Sequence, residues 1–183
     1  MSMLIKLAKI IVIAAVSVSL LGPRAVLGAD ELRGYRLGSG DKVRISVFGE
    51  PDLSVTERVS GRGTISFPLL GELRVQGMTL EDVERSVISG LKGPYLVDPR
   101  VRVSIDEYRE FFVMGQVQSP GGYPYLPGLT VRKAISIAGG FTERASRNKV
   151  YVFSEDQPQL ERQVQQNESV GAGDTVVIKE SFF

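Results

Sequence analysis

Gly38-Ser39-Gly40-Asp41-Lys42-Val43-Arg44-Ile45-Ser46-Val47-Phe48 is a tight turn running into a strand. Val43, Ile45 and Val47 alternate with Lys42, Arg44 and Ser46, the two-residue period of a strand buried on one face. The glycines admit backbone angles closed to other residues, and the Asp41 carboxylate can accept hydrogen bonds from nearby backbone N–H groups. A capping-type bond of this kind is worth about 0.5–2 kcal/mol, which is the cost expected for Asp41→Ala.

Downstream, the segments Leu53 to Val59, Thr64 to Leu70 and Glu72 to Val75 read as further strands, separated by Gly61-Arg62-Gly63 and by Gly71. The period then changes. Leu80, Val83, Val87 and Leu91 fall on one side of a helix, with Thr79 as its N-cap and Glu81 and Asp82 in its first turn. Gly93-Pro94 ends it, and Val101, Val103 and Ile105 alternate with Arg100, Arg102 and Ser104 in a closing strand. Strands, one helix and a strand make a compact α+β unit over residues 30–108.

A second unit is expected over 109–183. Phe111 to Val117 is a strand, Ser119-Pro120-Gly121-Gly122 a turn, and Tyr123-Pro124-Tyr125 an edge or irregular strand because proline cannot donate to a ladder. Thr130 to Ala138 is a helix with Val131, Ala134, Ile135 and Ala138 on its apolar side, stopped by Gly139-Gly140. Lys149 to Phe153 and Thr175 to Lys179 are strands, and the polar, Gln-rich Ser154 to Gly173 is a loop or a weak hairpin. An internal echo links the units. Gly38, Gly40 and Asp41 recur as Gly171, Gly173 and Asp174 in the pattern Gly-x-Gly-Asp-x-Val-x-Ile. A strand rather than a helix follows the glycines, so this is a structural turn motif and not a dinucleotide fingerprint.

The first 29 residues have the layout of a secretory signal: Lys6 and Lys9, an apolar run from Ile10 to Leu21, and a small-residue exit at Val26-Leu27-Gly28-Ala29. The run is short of the roughly 20 residues that cross a bilayer as a helix. An uncleaved anchor over Met3 to Leu21 is the alternative. Cleavage removes three of the 22 basic residues and none of the 21 acidic ones, leaving a net charge near −2. A nucleic-acid binder needs a clearly basic domain, so that partner class is excluded. The chain has no cysteine and no histidine, which excludes disulfides, a lipidated cysteine, a Ser/His/Asp arrangement and His- or Cys-based metal sites.

Other chemistry is thin. Glu50, Asp52, Glu57 and Glu72 could supply the carboxylate pair of a glycoside hydrolase, but they are scattered along turns and polar strand faces, where solvated charge is the ordinary reading. No catalytic, cofactor-binding or metal residue is assigned. Tyr123 and Tyr125, set between Pro120-Gly121-Gly122 and Pro127-Gly128, offer apolar faces with polar tips, and both hairpin packing and a glycan or interface contact stay open. Arg100 and Arg102 share a strand face that is either solvated or an inter-subunit or anionic-glycan contact.

Several stretches together resemble a known family. Tyr35 to Leu53 (YRLGSGDKVRISVFGEPDL), Gly63 to Gly71 (GTISFPLLG), Met78-Thr79-Leu80 and Asp98 to Val103 (DPRVRV) resemble, in order, the polysaccharide biosynthesis/export domain. Val113 to Val117 (VMGQV), Pro120-Gly121, Tyr123, Leu129-Thr130, Ala134-Ile135, Ala138-Gly139-Gly140 and Gly173-Asp174 resemble a soluble-ligand-binding β-grasp (SLBB) domain. The resemblance implies the outer-membrane polysaccharide export family. Its fold here would be α+β, a small β-rich export domain with one helix followed by a β-grasp-like domain. Its function would be that of a non-enzymatic subunit of a capsule or exopolysaccharide translocon, whose identical subunits form a ring around the polymer. The alternative is a monomeric periplasmic glycan-binding module.

The sequence departs from that translocon in having no lipidated cysteine, one SLBB-like block, and no amphipathic helix after Ile178. The resemblance is therefore to short periplasmic members, associated with the outer membrane but not lipoproteins. They would work between an inner-membrane polysaccharide copolymerase and a separate outer-membrane channel. Such a protein alone is not expected to perforate a bilayer.

Overall fold

In the computed structural model the described residues are 34–155 and 157–181. The expected leader lies outside them. The elements in chain order are β1 (Lys42–Val47), β2 (Val55–Arg58), β3 (Thr64–Phe67), β4 (Gly71–Arg74), α1 (Leu80–Leu91), β5 (Val101–Glu107), β6 (Glu110–Gly115), β7 (Gly121–Pro124), α2 (Val131–Ile137), β8 (Ala145–Ser154), β9 (Gln157–Gln163) and β10 (Thr175–Glu180).

The first fold is an antiparallel sheet in the order β2-β1-β5, with the β3-β4 hairpin and α1 packed on its apolar face. The alternation of β1 sends Val43, Ile45 and Val47 into the core beside Val83, Val87 and Leu91 of α1. Each such side chain contributes about 1.5–3 kcal/mol on leaving water. A capping box opens α1: the Thr79 hydroxyl accepts from the Asp82 N–H at 3.2 Å, and Asp82 Oδ2 accepts from the Thr79 N–H at 3.0 Å. The helix also serves the sheet edge, because Glu84 Oε1 accepts from the Val103 N–H at 2.8 Å.

The second fold is a five-stranded mixed sheet, β7-β6-β10-β8-β9, with α2 across one face. Its first and last strands, β6 and β10, run parallel at the centre, and hairpins flank them on both sides. That is the β-grasp arrangement. Val131, Ala134 and Ile135 of α2 meet Phe111, Val113, Val150, Val152, Val176 and Ile178 in its core. The whole is α+β, with strands predominating.

The strand expected over Thr64 to Leu70 ends at Phe67 in a turn, and Gly121-Gly122, expected in a turn, opens β7. Leu53 falls in a 3-10 turn over Pro51–Leu53 and not in a strand, because proline sets the helical φ at its first position and Ser54 Oγ takes the Val47 N–H at 3.0 Å. The Gln-rich segment, expected as a loop or a weak hairpin, takes the hairpin form, with β9 paired antiparallel with β8. All seven β9 residues are exposed, so no apolar alternation marks it; Gln163↔Tyr151 and Arg162↔Val152 pairing holds it.

Candidate functional site at the junction of the two folds

Only Tyr108 and Arg109 separate β5 from β6. So short a link brings the two Gly-x-Gly-Asp turns, far apart in sequence, around the same few residues. The turns are built alike. In the first, the Gly38 N–H donates to Asp41 Oδ2 at 2.8 Å and the Asp41 N–H to the Gly38 carbonyl at 3.3 Å. In the second, the Gly171 N–H donates to Asp174 Oδ2 at 2.8 Å and the Asp174 N–H to the Gly171 carbonyl at 3.3 Å. Gly40 and Gly173 sit at φ +98° and +84°, where a side chain would be strained.

The two aspartates then differ. Asp174 is buried, and its second partner is the Ser154 hydroxyl at 3.1 Å. Asp41 is wholly buried and reaches across the junction. It accepts from the Arg109 N–H at 2.7 Å, from Arg109 Nη1 at 2.8 Å and from the Tyr35 hydroxyl at 2.8 and 2.9 Å. Arg109 also donates to the Tyr35 hydroxyl at 2.7 Å and to Glu155 Oε2 at 2.5 Å. The second turn closes the arrangement, since the Gly173 N–H donates to the Glu110 carbonyl at 3.0 Å. The backbone of the second fold and the carboxylate of the first are thus joined by a charged network centred on the buried Asp41.

The electrostatics follow from this. Burial, reinforced by the Asp41 charge, pushes the Tyr35 phenol far above its ordinary range, and the same two causes raise Tyr108. Burial works against the Arg109 guanidinium, but Tyr35, Asp41 and Glu155 outweigh it and hold its pKa above the usual value. Tyr35, Tyr108 and Tyr125 meet edge to face in sequence, with ring centroids 5.1 and 5.4 Å apart.

Above the network lies an open cleft of about 870 Å³ with walls from both folds, including Ser39, Arg58, Tyr108, Tyr125 and Glu155. Of the residues singled out from sequence, Gly40, Gly173 and Tyr125 line it. Gly38, Asp41 and Asp174 lie in the turns beneath. Tyr123 does not line it: its hydroxyl donates to the Ser119 carbonyl and its ring packs 5.9 Å from Phe111. Arg102 near the start of β5 and Arg100 just before it stand roughly 16 and 23 Å from the Glu107 end at about 3.3 Å per residue. There Arg100 covers the Phe48 ring at 4.7 Å beside a shallow groove. The four scattered acids sit on separate elements: Glu50 and Asp52 around the 3-10 turn, Glu57 on β2, and Glu72 on β4, where it pairs with Arg62 at 3.0 Å.

Sequence reasoning did not single out Arg109 or Glu155. The one available signal was position, a cation falling between two strands that belong to different folds. No group of three or more metal-ligating side chains occurs among the described residues, and no helix among them is long and apolar enough to cross a membrane.

The chain matches two family models in series. The one described as polysaccharide biosynthesis/export protein covers residues 29–106, and the SLBB domain covers residues 111–166. It is 36% identical over 138 residues to the exopolysaccharide production protein ExoF of Rhizobium meliloti, covering 67% of this chain and 32% of the relative. It is 28% identical over 141 residues to the EPS I polysaccharide export outer membrane protein EpsA of Ralstonia nicotianae, covering 62% of this chain and 36% of the relative. The EpsA protein of Ralstonia solanacearum is 28% identical over 157 residues, 69% of this chain and 41% of the relative. The match thus spans between about a third and two-fifths of the length of these curated relatives.

Proposed function

Because the chain belongs to the polysaccharide biosynthesis/export family, with an SLBB domain after its export domain, we propose that it is a non-catalytic ring subunit of a capsule or exopolysaccharide translocon. It works in the periplasm at the outer membrane. Copies associate head-to-tail, and such contacts close into a ring only when every subunit repeats the same rotation. The observation that carries this reading is the rigid junction. A two-residue link and a buried Asp41–Arg109 pair hold the two folds at one angle, which a closed ring requires and a flexible tandem does not supply. The ring conducts the polymer from an inner-membrane copolymerase to a separate outer-membrane channel.

A deletion strain is expected to keep synthesising polymer and to stop secreting it, with an Asp41→Ala allele partly defective. Undiminished secretion in the deletion strain contradicts the proposal. The second reading, a monomeric glycan-binding module, draws support from the junction cleft alone.

A further inference from the structure

We infer that the junction cleft is a binding subsite for one or two uncharged sugar rings, a role that deepens the export reading by giving the polymer a contact on each subunit. A pyranose presents C–H faces that need an apolar surface and hydroxyl edges that need both donors and acceptors. The cleft supplies the first through Tyr108, Phe112, Tyr125 and Leu126, of which Leu126 is 66% exposed and Phe112 38%. It supplies the second through the carboxylates and guanidinium groups among its lining residues. Its volume of about 870 Å³ falls within the roughly 300–1,000 Å³ of small-ligand sites. Aromatic walls of tyrosine, with no tryptophan in the chain, suit a weak contact that a moving polymer can leave.

The charge pattern selects the sugar. Among the described residues lining the cleft, the acids Asp106, Glu107, Glu110 and Glu155 face two cations, Arg58 and Arg109. Both cations are already engaged, Arg58 with Glu107 at 2.7 Å and Arg109 with Asp41 and Glu155. Asp106 and Glu107 are in turn held by Lys42 and Arg44, so a uronate or phosphate entering the cleft finds carboxylates and arginines already paired with one another. The site therefore takes neutral residues of a polymer and disfavours acidic ones.

The test is amide NMR of the mature chain titrated with a neutral gluco-oligosaccharide, a neutral galacto-oligosaccharide and an oligoglucuronate, each to about 20 mM, which saturates millimolar sites. Saturable shifts are expected at Ser39, Gly40, Tyr108, Tyr125 and Gly173 with at least one neutral sugar. The oligoglucuronate is expected to bind about ten-fold more weakly. Leu126→Ala and Tyr125→Ala should weaken binding at least about three-fold, while Tyr123→Phe, outside the cleft, should leave it unchanged. Absence of localised shifts with both neutral sugars, or equal binding of the oligoglucuronate, overturns the inference. Absence of sugar shifts in the unaltered chain, with secretion lost in the deletion strain, removes the subsite and leaves the conduit standing. Failure of the conduit shows separately, as undiminished secretion by the deletion strain.

Discussion

Replacing Asp41 by alanine removes the acceptor that joins the two folds. From sequence the loss is that of one turn, about 0.5–2 kcal/mol. The structure raises it. The carboxylate accepts from the Gly38 N–H, the Arg109 N–H, Arg109 Nη1 and the Tyr35 hydroxyl, all within 2.9 Å. Its deletion leaves two backbone donors without their acceptor and strips a guanidinium that is only 15% exposed of one of its two carboxylate partners. Breaking a buried pair from one side costs about 3–5 kcal/mol, and water entering from the cleft keeps the value toward the lower end. Asp174→Ala is the built-in control. The same turn loses only the Gly171 N–H and Ser154 hydroxyl bonds, about 1–2 kcal/mol. Urea unfolding of the protein and both variants, followed by circular dichroism, measures the difference. Adding Arg109→Ala to Asp41→Ala should cost much less than Arg109→Ala alone, a coupling of about 1–3 kcal/mol. Equal destabilisation by the two aspartate variants, within about 0.5 kcal/mol, together with additive Asp41 and Arg109 losses, refutes the claim that this pair ties the folds together.

Alkaline titration tests the same network: Tyr35 and Tyr108 should ionise above the ordinary phenol value, and phenolate absorbance rising in one step near pH 10 would show an open junction. Because the Tyr35 pKa is raised on folding, its contribution is fully present below about pH 10 and is lost as pH rises toward the folded value, and Tyr35→Phe should remove that decline. On the acid side, the Thr79 backbone N–H and then its hydroxyl hold Asp82 below its ordinary value. The unfolded chain binds more protons there, so this stability is present above about pH 4 and lost as pH falls through the folded pKa. Thr79→Ala should cost about 1 kcal/mol at neutral pH and flatten that acid dependence; an unchanged urea midpoint would mean that the capping box adds nothing. Glu84→Ala, which exposes the Val103 N–H on the β5 edge, should cost about 1–2 kcal/mol, read from the same melts.

What could be read in the sequence was what local periodicity controls. The alternation of Val43, Ile45 and Val47 and the Thr79-capped stripe of Val83, Val87 and Leu91 each carry their own burial pattern, and each appears where it was expected. Strand β9 could not be read that way. Its residues are exposed throughout, and its existence depends on a partner strand rather than on a buried face. Leu53 went to a 3-10 turn because Pro51 outweighed the apolar residues that follow it. The turn motifs were legible as turns. Their convergence was not, since Asp41 and Arg109 are 68 positions apart and no pattern in either segment names the other. The same holds for Tyr125, whose packing on Tyr108 depends on how one fold is set against the other.

A ring conduit depends on assembly, and the mass of the purified protein, in solution and in mild detergent, tests it most directly. A ring subunit gives one closed multiple of the subunit mass that persists on dilution, and Asp41→Ala, with its junction loosened, gives smaller or mixed species. A monomer in both media at every concentration, with sugar binding retained, contradicts the ring and leaves a glycan-binding module.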